Sequence, residues 1–344
     1  MYDLRPHRSV PYAYIPYPYL PAIGAVVAIA CQKLTAWQAY GAWVILDEAC
    51  LLGNLAMAYA TLRKRGPATF PLVAFFWLAF FPYYVDVFMG QMNFVMTTFL
   101  HAFLCAAIAR RRVALGLAFT AGLLAKMLPI VAVPALLRFR RFGTLALAAA
   151  LLLATILPVA AFRQLVDVPA PKPLSLLGIE KLRVPSGIHQ VLSHLSPKAA
   201  PEDYAGSPSF GSLLQHFVRI PWLSGAIRLA FLGSAIAITF LAAESLPLSA
   251  ALIVSSYFLT YAHPWEHHYV IALPLLSVLC YRQGRWPRRA ILAWLPLALP
   301  TPYILYGTRT IESALYPLSK ALGAVILFTL FVAVNLSGDR RWDA

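Results

Sequence analysis

Apolar runs alternate with short arginine and lysine clusters along nearly the whole chain. The runs cover 37–62, 70–84, 94–109, 113–137, 143–162, 223–242, 247–261, 268–281, 290–306 and 315–336. Runs of this length and polarity predict membrane helices. The expected fold class is therefore all-α, a polytopic integral membrane protein with about 10 membrane segments. A further run, 20–30, is too short to span comfortably and reads as a tilted or re-entrant segment.

One run does not read as a straight pass. Cationic clusters flank 113–137 at both ends, Arg110-Arg-Arg112 before it and Arg138-Phe-Arg-Arg141 after it, and a single crossing would put one of them on the wrong side. Its middle, Gly122-Leu-Leu-Ala-Lys-Met-Leu-Pro129, sets Gly and Pro around a lone lysine. A broken or re-entrant helix with its elbow at Lys126 is expected, an arrangement tolerated at membrane depth where the break lines a cavity.

Composition narrows the class. Hydrophobic residues make up 60% of the chain and charged residues 12%, too little polar surface for a soluble domain of this length. Lys and Arg total 28 against 13 acidic residues, but the excess sits between apolar runs and so reads as orientation. No basic face interleaved with aromatics is visible, and nucleic acid is not an expected partner. Cys31, Cys50, Cys105 and Cys280 lack pairing or metal spacing and read as small buried thiols. The first residues have no apolar core of a signal peptide.

The whole of 1–344 reads as one transmembrane domain, with 1–18 and 163–222 as loops on the non-cytoplasmic face. The second loop, dense in Pro, Ser, Lys and His, is far longer than an ordinary connection and points to function. Counting spans back from the basic linker 282–289 places that loop, His263-Pro-Trp-Glu-His-His268 and Gly90-Gln91-Met-Asn93 on one face. Ionisable groups between apolar runs are costly in lipid, so these constellations are expected to face a water-filled cavity.

Each constellation has its chemistry. Lys126 suits a phosphate, with a snorkelling lysine as the alternative. His263, His267 and His268 are donors for phosphate or sugar, and Trp265 offers an apolar face, with an interfacial turn as the alternative. Gln91 and Asn93 suit hydrogen bonding in the cavity or between helices. Asp86 reads either as a cavity-rim acid or as a solvated loop acid, and Arg219 as a phosphate contact or an interfacial arginine. His263 and His267 stand four apart, but Pro264 disfavours helix there and no third ligand appears, so neither metal nor cofactor is expected.

Gly90-Gln91-Met-Asn93, Gly122-Leu-Leu-Ala-Lys126-Met-Leu-Pro129 and Pro264-Trp-x-His-His268 occur in that order after a Tyr-Pro run, Tyr14-Ile-Pro-Tyr-Pro-Tyr19. Together they resemble glycosyltransferase family 87, and the likeness runs from about residue 12 to 336. The resemblance implies the C-type glycosyltransferase fold and transfer of a hexose, mannose above all, or a pentose from a polyprenyl-phosphate sugar. The acceptor would be a lipid or glycan on the non-cytoplasmic face of a bacterial plasma membrane. Such a reaction needs a carboxylate for the acceptor's proton and cationic or hydrogen-bonding groups for the departing phosphate. Family members resemble one another in an extra first helix and a following loop that carries the catalytic Asp. This chain starts within that loop at Met1-Tyr-Asp3, so the expectation is either a start further upstream or a different base. Asp3, Asp86 and Glu266 are the candidates, with His267 beside them. The alternative function is a transporter or flippase for a lipid-linked or amphiphilic substrate.

Overall fold

A computed structural model describes residues 33–63, 66–160, 165–169, 181–185, 210–218, 220–243, 245–261, 264, 266–282, 284–299 and 312–337. In chain order the helices are α1 (Ala36–Leu62), α2 (Phe70–Leu78), α3 (Phe81–Met89), α4 (Asn93–Ile108), α5 (Arg112–Ala125), α6 (Val133–Arg138) and α7 (Phe142–Ala160). After strands β1 (Leu165–Pro169) and β2 (Lys181–Pro185) come α8 (Phe210–Phe217), α9 (Pro221–Leu241), α10 (Leu246–Thr260), α11 (Ala272–Tyr281), α12 (Trp286–Ala298) and α13 (Glu312–Leu336). Short 3-10 turns fill Pro67–Thr69, Leu128–Ala132 and Glu266–Ile271.

This is a helical membrane protein. Helices at Ala36–Leu62, Trp222–Leu241 and Leu318–Leu336 are long and apolar enough to cross a bilayer, and Pro67–Leu78 with Phe81–Met89, bent by 44°, makes a fourth crossing if taken as one. The other apolar helices reach only 10–17 residues, so the described residues give fewer full-length spans than the apolar runs predict. Breaks after Leu78 and at Lys126 divide the runs 70–84 and 113–137, and the 3-10 turn before α11 takes the first residues of 268–281. Polarity is partly reversed relative to a soluble fold. Ile45, Leu52, Phe88, Trp222 and Leu241 are exposed, whereas Asp47, Asn54, Asp86, His101 and Lys320 are buried.

The chain divides into two units, each described by itself. In the first, 1–39 with 149–200, the long polar stretch carries an antiparallel ribbon in which Val166 pairs with Val184 and Asp167 with Arg183. That ribbon is an addition to the all-α expectation. Residues 20–30 lie outside the described residues.

In the second unit, 40–148 with 201–344, α10 and α11 form the centre. Every residue of α11 is buried, and α10 packs against α9 and α13. Helices α4 and α5 form a hairpin whose turn is closed by Arg110 at φ 57°, with Arg110 N–H donating to Ala107 O and Arg111 N–H to Ala106 O. Arg140, at φ 52°, repeats the device after α6. Arginines therefore end both helices where unpaired carbonyls and the helix dipole favour cations.

Helix α1 lies against α4 through Asn54 Nδ2 donating to Thr98 Oγ1 (2.8 Å) and Thr61 Oγ1 contacting Cys105 Sγ (3.5 Å). Both pairs are 44 positions apart, which fixes one register between the helices. His101 Nδ1 meets Asn54 Oδ1 at 2.9 Å, and since that oxygen only accepts, the ring proton sits on Nδ1. Its Nε2 then accepts from Tyr281 Oη at 2.6 Å, tying α4 to α11. Trp77 Nε1 donating to Ser277 Oγ (2.9 Å) adds α2 to the same core.

Candidate functional site

The site grows from three chain breaks. At the first, α3 stops at Gly90, whose φ of 63° lies in the left-handed region that favours glycine. Gly90 N–H donates to Val87 O (3.1 Å) and Gln91 N–H to Asp86 O (3.2 Å), the paired closure of a helix ended by a left-handed residue. The chain is thereby turned so that α4 starts immediately at Asn93.

Asp86, four residues before that glycine, faces the start of α4. One carboxylate oxygen accepts from Asn93 Nδ2 (2.8 Å) and the other from Phe94 N–H (2.9 Å). A carboxylate thus caps the positive end of the next helix, which satisfies a backbone donor and complements its dipole. Asp86 has 0% exposure. This corrects the expectation of a rim acid or a solvated loop acid: its oxygens are committed to building the turn.

At the second break, α5 ends at Ala125 and Lys126 adopts an extended backbone (φ −162°, ψ 135°) before the 3-10 turn begins at Leu128. The elbow expected at Lys126 is present. Gly122 makes it possible, because an added Cβ would lie 3.1 Å from Pro129 Cγ and 3.5 Å from Phe99 Cβ. The fold-back aims the Lys126 ammonium at Asn93 Oδ1, to which it donates.

At the third, Glu266–Ile271 forms a buried 3-10 turn against α3. His268 Nε2 lies 3.2 Å from Lys126 Nζ. With the ammonium donating, Nε2 accepts and the proton of that ring sits on Nδ1. The His267 ring lies tilted beside it, 4.5 Å between ring centroids and 58° between planes. A relay results: Asp86 orients Asn93, Asn93 and His268 hold Lys126, and among the described residues the ammonium keeps a third N–H beyond these two contacts. Lys126 is only half-buried, which leaves it reachable.

Residues that sequence spacing grouped are therefore brought together in part. Asn93, Lys126 and His268 meet, with His267 adjacent and Gln91 in the turn that precedes Asn93. Glu266 is tied elsewhere: it forms an ion pair with Lys320 at 3.1 Å, both side chains buried. Asp3, Arg219, His263 and Trp265 lie outside the described residues. Among those described, no group of three or more His, Cys, Asp or Glu is placed to hold a metal.

Several buried polar residues had no place in the sequence reading. Lys320 is fully buried in α13, where it also donates to Leu297 O (2.5 Å) and Leu299 O (2.9 Å), two carbonyls at the end of α12. Asp47 and Glu48 occur side by side in α1, and Glu48 Oε1 accepts from Tyr83 Oη at 2.9 Å. Ionisable residues inside an otherwise apolar run were the available signal. Protein-family models, curated proteins and solved structures were compared with the chain, and none matches it.

Proposed function

We propose that this protein is a membrane glycosyltransferase that moves a hexose, mannose above all, or a pentose from a polyprenyl-phosphate sugar to a lipid or glycan acceptor. The observation that carries the reading is the convergence of Lys126, Asn93 and His268 from three distant stretches of sequence onto one ammonium group. A half-buried cation pre-aimed by two neutral partners suits a leaving phosphate, whose charge grows as the glycosidic bond breaks. His267, beside His268, and Gln91, in the turn before Asn93, suit the remaining phosphate or sugar oxygens. Asn93 separates Lys126 from Asp86, so the carboxylate steers the cation without occupying its third donor. The resemblance in motif order to glycosyltransferase family 87 supports the same chemistry.

The test is transfer of radiolabel from polyprenyl-phosphate mannose in membranes that hold the chain. Lys126→Met is expected to reduce transfer by about 10²–10³, the usual effect of removing one preorganised stabiliser of developing charge. His268→Ala, which loosens the ammonium, is expected to cost less. Equal transfer by wild type and Lys126→Met would refute the phosphate role.

A transporter or flippase is the second reading, favoured by the buried ionisable residues Asp47, His101 and Lys320 within the helices. It predicts movement of labelled lipid-linked sugar between leaflets without any new glycosidic bond.

A further inference from the structure

Helix α1 has one buried stripe: Asp47, Leu51, Asn54, Ala58 and Leu62. Its lower half is satisfied, Asn54 by Thr98 and His101. The upper half is not. Among the described residues, neither carboxylate oxygen of Asp47 has a hydrogen-bond partner, although the residue is fully buried, and Trp43 Nε1, one turn further along the same face, is a buried donor equally without one there. Buried polar atoms are nearly always paired, and a membrane setting makes the exception more costly. Here an acceptor and a donor both wait, about 5–6 Å apart at their Cβ atoms as i, i+4 neighbours.

The register of α1 on α4 says where they wait. Thr61 meets Cys105 and Asn54 meets Thr98 at a constant offset of 44, and about two turns further the same offset brings Asp47 level with Gln91, just before Asn93. Helix α3 agrees: Tyr83, which bonds Glu48 next to Asp47, lies one turn before Asp86 on the same helix. Asp47 thus stands beside the Asp86–Asn93–Lys126 relay. Among the described acids near the relay it is also the one left uncommitted, because Asp86 caps α4, Glu48 accepts from Tyr83 and Glu266 pairs with Lys320.

We propose that Trp43 and Asp47 form a hydroxyl-binding subsite for a sugar, in which Asp47 takes the proton of the attacking hydroxyl. The indole offers an apolar face and one N–H donor, and the carboxylate offers two acceptors, a set that fits a polyol. Trp43 is only part-buried and forms the approach. The binding claim stands alone; the proton transfer rests on the glycosyltransferase reading. In that step the acceptor oxygen bonds to the anomeric carbon and its proton passes to an Asp47 oxygen. The bond from the anomeric carbon to the phosphate oxygen breaks, and its electron pair stays on the phosphate beside Lys126.

The experiment uses the full chain in a polyoxyethylene detergent. Dicyclohexylcarbodiimide, which reacts with the protonated fraction of carboxyl groups in apolar surroundings, is applied at mildly acidic pH, apart from the transfer assay in which Asp47 acts as carboxylate, and is mapped to the Asp47 peptide by mass spectrometry with octyl α-mannoside or octanol added. Octyl mannoside is expected to lower modification about tenfold once it is about ten times its half-saturation concentration, while octanol does not. Trp43→Phe should weaken that protection about threefold to tenfold, the worth of one neutral hydrogen bond. Protection by octanol equal to that by the mannoside, or no protection by either, overturns the subsite. The catalytic arm is transfer by Asp47→Asn, expected to fall by about 10²–10⁴ with the thermal midpoint retained; transfer within threefold of wild type overturns the base. Should wild type protect Asp47 and yet transfer nothing from any polyprenyl-phosphate sugar, the glycosyltransferase reading fails and the sugar subsite stands.

Discussion

The pair Lys320–Glu266 gives the sharpest prediction about what holds the site. Lys320 has no exposed surface and lies 3.1 Å from Glu266. At an effective dielectric of about 20, two unit charges at 3.1 Å attract by about 5 kcal/mol. Desolvation offsets much of that attraction while both partners are present, so the intact pair adds little net stability. Removing one partner is different, because buried Glu266 then loses the cation it faces and the Leu297 and Leu299 carbonyls lose their donor. Lys320→Met should cost about 3–5 kcal/mol. With an unfolding entropy of about 2 cal/mol/K per residue over this chain, the apparent midpoint falls by about 4–7 °C. Intrinsic tryptophan fluorescence in one detergent at one scan rate measures it, since irreversible unfolding makes the midpoint rate-dependent. The double variant Lys320→Met/Glu266→Gln should recover at least about half of the loss, because the buried negative charge goes with the cation it faced. A single variant within about 1 °C of wild type, or a double variant no better than the single, would refute the reasoning.

Two further perturbations act on the turn between α3 and α4. Asp86→Ala strands the Asn93 amide and the Phe94 N–H in a buried place, at about 2–4 kcal/mol together, and frees Asn93 to rotate. Transfer should drop with the thermal midpoint, whereas Asp86→Asn keeps one acceptor and should lose less of both. Gly90→Ala meets no neighbouring atom within 4 Å, so its cost is the left-handed backbone alone, about 1–2 kcal/mol. A midpoint unchanged in Gly90→Ala would mean that the turn is not held at positive φ.

The break at Lys126 was legible because Gly122 and Pro129 bracket it and arginines stand at both ends, and each of those features acts locally on the backbone or on topology. The meeting of Asn93, Lys126 and His268 was legible as a shared face only; the bonds between them depend on side-chain directions that motif order does not carry. Asp86 was misread for a related reason. An acid before a glycine turn looks solvated in sequence, and its burial follows only once α4 is seen to begin three residues after Gly90. Lys320 and Asp47 were passed over because averaging hydropathy over a long run hides a single charge. Their burial also depends on partners or vacancies far away in the chain: Lys320 finds Glu266 across 54 positions, and no local pattern announces that.

Those distant ties explain why a 3-10 turn, an element with poor hydrogen-bond geometry, is trusted with two histidines. Its first residue, Glu266, is anchored by Lys320 of α13, and its third, His268, is anchored by Lys126 at the end of α5. Tyr269 then places its ring under the Lys320 ammonium, 5.8 Å from the nitrogen to the centroid, and stacks on Phe258 of α10 at 5.1 Å. Two cations grip neighbouring residues from opposite elements, so the turn has little freedom to slide along either. On the proposed reading, a phosphate that arrives at Lys126 takes the third ammonium proton and leaves the ties to Asn93, His268 and Glu266 in place. Under that reading Lys320 holds the start of the turn through Glu266 and Lys126 holds its imidazole, so the turn is positioned before a substrate arrives.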